Sequence, residues 1–273
     1  MESVRDRLWL WAHEAGSHNG RFGLSGSSRI TPAPAARYLG IPNLIMVTFA
    51  GQPEPPFAPH ALPLRSLSRV VWSIVGDSSS RRNDDSPDLE EVIALSAQFP
   101  NLTGAIMDDF FHQPDAQGAV ARYSVQQVAS FRRRLHDAPR PLDLWVVLYA
   151  HDLDLPIGDQ LAQSDVVSFW TWRSQDLDGL PGNFARAEAL APGVPKVLGC
   201  YLWDYGASQP MPLERVIRQC ETGLRWLHEG RIEGMIFLAS CICDLGLETV
   251  AWTRRWIANV GGQPLGRPAP TPP

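Results

Sequence analysis

The chain has 273 residues, 44% of them hydrophobic, and a formal net charge of -5. That length suits one domain with a large buried core and argues against a disordered chain. The acidic balance lacks the basic footprint of a nucleic-acid binder. No apolar stretch reaches the length of a membrane span, and the charged residues 1–7 lack a signal-peptide core, so the expected location is the cytoplasm.

Taken in chain order, short apolar, β-branched or aromatic runs recur at residues 8–13, 43–50, 69–76, 102–111, 142–151, 166–173, 196–205 and 234–240. Helix signals fall between most of them. Thr31-Pro32 reads as an N-cap followed by proline at the first helical position, opening a helix that runs through Leu39. Residues 51–68 are proline-rich (Pro53, Pro55, Pro56, Pro59, Pro63), which predicts an extended excursion in place of a full helix. Helical spacing returns over 89–99 and over 124–135, the latter through Val125, Val128, Phe131 and Leu135. The clearest stripe is over 212–229, through Leu213, Val216, Ile217, Cys220, Leu224 and Leu227. A last helix covers 247–260, and the Pro- and Gly-rich tail 261–273 is expected to be disordered.

Strand alternating with helix implies a parallel sheet, and eight such units in a chain of this length imply a single-domain α/β fold, a closed (β/α)8 TIM barrel over residues 1–260. In such a barrel the chemistry sits at the C-terminal ends of the strands. Three connections on that face are long and polar: 13–28, 77–87 and 112–123. Cys200, Cys220, Cys241 and Cys243 read as buried structural thiols, since no second Cys pair stands at zinc-site spacing.

The strand ends form a polar ring. His13 and Glu14 stand at the end of the first run, Thr48 near the end of the second, and Ser73 and Asp77 in and just after the third. Asp108 and Asp109 close the fourth, and Tyr149, His151 and Asp152 the fifth. The sixth ends in Trp170-Thr171-Trp172-Arg173 and the seventh in Tyr201-Leu202-Trp203-Asp204-Tyr205. Asp108 and Asp109 are the sharpest feature: two carboxylates after an apolar run and before Phe110-Phe111. Apolar surroundings raise a carboxyl pKa, as a general acid requires, and a neighbouring carboxylate pushes two values apart. If the strand continues through the pair, alternation sends one side chain into the mouth and the other outward. Of the ten tryptophans, Trp9, Trp11, Trp72, Trp145, Trp170, Trp172 and Trp203 fall within runs. Some fill the barrel, while those nearest the mouth suit stacking on the C–H faces of sugar rings. The chain has no GxGxxG, P-loop or GxSxG motif, and Lys196 stands at the wrong end of its run for Schiff-base chemistry.

Strand-end carboxylates and mouth tryptophans on such a barrel resemble glycoside hydrolases. The segment Gly104-Ala105-Ile106-Met107-Asp108-Asp109-Phe110 is similar to the fourth strand of some glycosidase clans, where an acidic residue ends the strand. The likeness is one of architecture over the whole chain. No Glu follows Asp109, as the chitinase-type pattern requires, and the Asn-Glu pair of many retaining β-glycosidases is absent.

The resemblance implies hydrolysis of a saccharide or glycoside by two carboxylates, without a cofactor. Asp108 or Asp109 would serve as nucleophile or base and Asp204 or Glu14 as proton donor. Trp170, Trp172, Trp203, Tyr149 and Tyr205 would shape the sugar site, and His13, His151 and Arg173 would contact hydroxyls. Two other readings stand beside it. One is a metal-dependent sugar isomerase or hydrolase with His13, Glu14, Asp109 and His151 as ligands. The other is a barrel that binds a saccharide without turning it over.

Overall fold

The computed structural model of the chain describes residues 2–83 and 87–266. Its strands are β1 (Leu8–Ala12), β2 (Asn43–Met46), β3 (Arg69–Val75), β4 (Leu102–Met107), β5 (Asp143–Tyr149), β6 (Val166–Trp170), β7 (Lys196–Tyr201) and β8 (Gly234–Leu238). They pair in sequence order, all parallel, and β8 closes on β1 through Trp9 opposite Ile236. This is the closed barrel that the rhythm of the sequence predicts. Each strand lies inside its predicted run but stops short of the run's end, where the chain turns into the polar loops of the mouth.

One helix follows each strand: α1 (Pro32–Leu39), α2 (Ala58–Ala61), α3 (Leu89–Gln98), α4 (Val125–His136), α5 (Gly158–Leu161), α6 (Leu180–Leu190), α7 (Leu213–His228) and α8 (Glu248–Val260). Local signals place their ends. Ser124 accepts the Gln127 N–H while the Gln127 side chain accepts the Ser124 N–H, a reciprocal cap at the start of α4. Gly40, at φ 74°, ends α1 in the left-handed conformation. The proline-rich stretch after β2 leaves α2 one turn long. No described helix is long and apolar enough to cross a membrane.

Tryptophans fill the barrel, and three of them, Trp9, Trp145 and Trp170, have a glycine on an adjacent strand that makes room. A Cβ on Gly104 (β4) would meet the Trp145 ring of β5, one on Gly234 (β8) would meet Trp9 of β1, and one on Gly199 (β7) would clash with the Trp170 ring of β6 at 2.1 Å. Trp9 and Trp145 touch edge to face with centroids 5.0 Å apart, forming a lower layer. Trp11, Trp170 and Tyr201 form the next, with Trp170 5.1 Å from each of the other two. Above this layer the interior opens.

At the opposite, N-terminal end, Val4 and Arg5 donate backbone hydrogen bonds to Gln263 and Gly261, and the His228 ring contacts the Gln263 side chain. Residues 261–266 of the expected disordered tail therefore lie against the barrel; 267–273 fall outside the described residues.

Candidate functional site

The open end of the barrel holds a cavity of about 340 Å³, lined from all eight strand ends or the loops that follow them. Asp108 and Asp109 lie together in it. β4 has already ended at Met107, so strand alternation does not separate the two side chains. Asp109 takes a φ of 39°, a left-handed conformation that aspartate tolerates better than most residues. That turn brings two consecutive carboxyls to one cavity.

Their surroundings differ. Asp108 is buried, and one of its oxygens accepts the Asp109 N–H at 2.9 Å. Burial, then the charges of Asp109 and Asp77, hold its pKa well above the ordinary carboxylate range. Asp109 accepts the Ser78 N–H at 2.8 Å on one oxygen and the Tyr149 hydroxyl at 3.0 Å on the other. Tyr149 is itself kept in its neutral, donating form by burial and by the adjacent Asp109. The result is one carboxyl set to hold a proton and one held as a fixed acceptor.

The remaining wall is aromatic. The Trp172 ring meets Tyr149 and Tyr201 edge to face at 5.9 and 5.7 Å. Across the cavity, His13, His18, Phe22, Phe49 and Tyr205 form a ring cluster with centroid distances of 4.9 to 6.2 Å. Burial pushes the pKa of His13 down to about 4, against weaker opposing pulls from the Val47 carbonyl and Asp77. It pushes that of His18 to about 2, helped by His13 and Arg21. Both imidazoles are therefore neutral near pH 7, and His18 Nδ1 lies 3.1 Å from the Tyr205 hydroxyl.

Among the residues expected at the site, His13, Asp108, Asp109, Tyr149, Trp172 and Tyr205 line this cavity. Six others do not. Glu14 points away, to His60 at 2.9 Å. Asp204 is buried and accepts the Ser174 and Ala207 N–H groups, tying the loops after β6 and β7 together. Trp170 belongs to the barrel interior, where its indole N–H bonds to Ser168. Trp203 donates to the Phe22 carbonyl at 2.8 Å, which pins the loop after β1. His151 is exposed and stacks behind Tyr149. Arg173 packs beside Gly206.

Because Glu14 pairs with His60 and His151 stands behind Tyr149, the proposed metal ligands His13, Glu14, Asp109 and His151 do not converge. Among the described residues, the ligand-type side chains that do converge are His136, Asp143 and Asp165, at the N-terminal end of the barrel. Arg132 already bonds Asp165 there with two nitrogens.

The residues not anticipated include His18, Arg21 and Phe22 in the Gly/Ser-rich loop after β1, and Phe49 after β2. The length of the first loop was the available signal for three of them.

No family model matches the chain, and no curated protein matches it. Solved structures do. The xylanase–α-amylase inhibitor protein in complex with trehalose superposes with a TM-score of 0.56 at 14% identity, covering 92% of this chain and 99% of that one. A xylanase from Cellvibrio japonicus gives 0.52 at 10% identity, with 85% and 86% covered. In fold, the chain is a TIM barrel similar to the barrels of these structures. The β-glucuronidase of Bifidobacterium dentium complexed with coumarin-3-O-glucuronide gives 0.57 at 12% identity; the match covers 95% of this chain but 47% of the larger enzyme.

Proposed function

We propose that the chain is a glycoside hydrolase in which Asp108 and Asp109 are the working pair. The observation that carries this reading is the pair itself: adjacent carboxyls in one aromatic cavity at the C-terminal face, one disposed to keep its proton and the other held as an acceptor. The proton-donor role expected of Glu14 or Asp204 passes to Asp108, because those two carboxylates are engaged elsewhere.

In this mechanism a sugar ring lies against Trp172 with its glycosidic oxygen at Asp108. Asp108 gives its proton to that oxygen as the bond to the anomeric carbon breaks. Asp109, fixed by Ser78 and Tyr149, faces the positive charge that develops on that carbon. Water supplies the hydroxyl that ends on the sugar and the proton that restores Asp108. The neutral His13 and His18 add hydrogen-bonding capacity to the site without adding charge.

The test is a panel of chromogenic glycosides and natural oligosaccharides, with and without a chelator. Chelator-resistant cleavage is expected, reduced by roughly 10²–10⁴-fold or more in Asp108→Asn and Asp109→Asn with the fold retained. Wild-type rates in both variants would end the proposal. A barrel that only binds saccharide is the second reading, favoured by the likeness to an inhibitor protein solved with trehalose. Tight binding with unaltered ligand after long incubation would select it.

A further inference from the structure

The cavity is asymmetric in charge. Its carboxylates, Asp77, Asp108 and Asp109, come from the loops after β3 and β4, whereas Arg21, on the loop after β1, is the one arginine or lysine among the described residues that line it. Arg21 lies with its guanidinium 5.4 Å from the centroid of the Phe49 ring. Among the described residues, its side chain makes no hydrogen bond or ion pair. Two of the cavity's carboxylates are committed to other groups: Asp77 to the Ala50 N–H and the Ser79 and Ser80 hydroxyls, Asp109 to the Ser78 N–H and the Tyr149 hydroxyl.

The segment that carries Arg21 is well anchored. The Asn19 side chain clamps Ser28 through two hydrogen bonds, the Phe22 carbonyl takes the Trp203 N–H, and the Arg21 N–H bonds the His18 carbonyl. An exposed guanidinium that lies over the Phe49 ring at the cavity wall, with its donors free, can receive an anion. Its planar fork matches a carboxylate, and one such cation balances one negative charge. The charges of Asp77 and Asp109 repel that same anion, so they disfavour a ligand placed with its charged end beside them.

We infer that the cavity takes a saccharide bearing a carboxylate, a uronic acid residue, with Arg21 as the specificity-determining residue that binds the carboxylate. This rests on the reading that the cavity binds sugar. It goes further by naming the class of sugar.

The full chain and its Arg21→Gln and Arg21→Lys variants would be titrated calorimetrically. The ligands are 4-nitrophenyl glucuronide and galacturonide, the matching glucoside and galactoside, and glucose 6-sulfate, with release of nitrophenol followed in parallel. The uronides are expected to bind roughly tenfold or more tighter than the neutral sugars, the size of a charge-assisted hydrogen bond. Arg21→Gln should bring that ratio to about one, with Arg21→Lys between. Equal binding of acidic and neutral sugars, a ratio that survives Arg21→Gln, or tighter binding of the sulfate would each overturn the inference. Arg21-dependent binding of uronides that are never cleaved would uphold it and remove the hydrolase proposal. Cleavage of neutral glycosides in preference to uronides would do the reverse.

Discussion

Asp108 is expensive to keep. Its folded pKa is raised, so below the ordinary carboxylate value of 3.8 both folded and unfolded chains hold its proton and burial adds little penalty. As pH rises above that value the unfolded chain releases the proton while the folded chain retains it. The group's contribution to stability is therefore lost with increasing pH. Asp108→Asn, which can still accept the Asp109 N–H, should raise Tm at pH 7 by roughly 2–4 °C per kcal/mol recovered. That gain should shrink toward zero as pH falls to 3.8, as measured by thermal unfolding across pH. A pH-independent difference would mean that the carboxyl is not held protonated by its site. The pair was legible in the sequence, because two aspartates after an apolar run are conspicuous. That both face one cavity was not, since it depends on where β4 stops and on the left-handed turn at Asp109. Asp204 and Glu14 were the weaker strand-end candidates in sequence, each a candidate proton donor. What separates them from the pair is tertiary: which N–H groups and which histidine lie within reach.

At the scale of the element, the strands were legible because hydrophobic periodicity is local, and five of the helices follow from their apolar stripes and caps. The pairing of a tryptophan on one strand with a glycine on the next was not legible, because it depends on barrel register. It accounts for Trp170, whose place near a run's end suggested the mouth. An added Cβ at Gly199 would lie 2.1 Å from carbons of the Trp170 ring, and neither strand can move within a closed barrel. Gly199→Ala should cost about 3 kcal/mol or more, at the upper end of overpacking effects. Trimming the ring should relieve it. Gly199→Ala combined with Trp170→Phe is expected to be less destabilised than the sum of the single changes, by roughly 0.5–3 kcal/mol in a chemical-denaturation cycle. Strict additivity would show that the indole does not need the missing side chain.

Across the whole molecule, the two ends of the barrel divide the work, with loops and cavity at one end and charged networks at the other. One of these networks centres on Asp165, which precedes β6. One of its oxygens takes two nitrogens of Arg132 at 2.8 and 2.6 Å; the other takes the Leu144 N–H and the His136 ring, both at 2.8 Å. Burial pulls the Asp165 pKa upward, but the bonds from Arg132, Leu144 and His136 together outweigh it and leave the pKa below the ordinary value of 3.8. With a lowered folded pKa, the network's contribution is present above pH 3.8 and lost as pH falls through the folded value beneath it. Asp165→Asn breaks the ion pair and leaves an amide N–H₂ facing existing donors. It should cost about 1–3 kcal/mol at pH 7, the loss of charged hydrogen bonds in a half-buried setting. The deficit should close as the wild type is acidified below pH 3.8. The saccharide binding and turnover proposed for the cavity should be unchanged at temperatures where the variant is folded, since the barrel's packed tryptophan layers stand between this network and the cavity. An Asp165→Asn protein with wild-type Tm but altered kinetics would show that the N-terminal end is coupled to the site, and the division of labour between the two ends would fail.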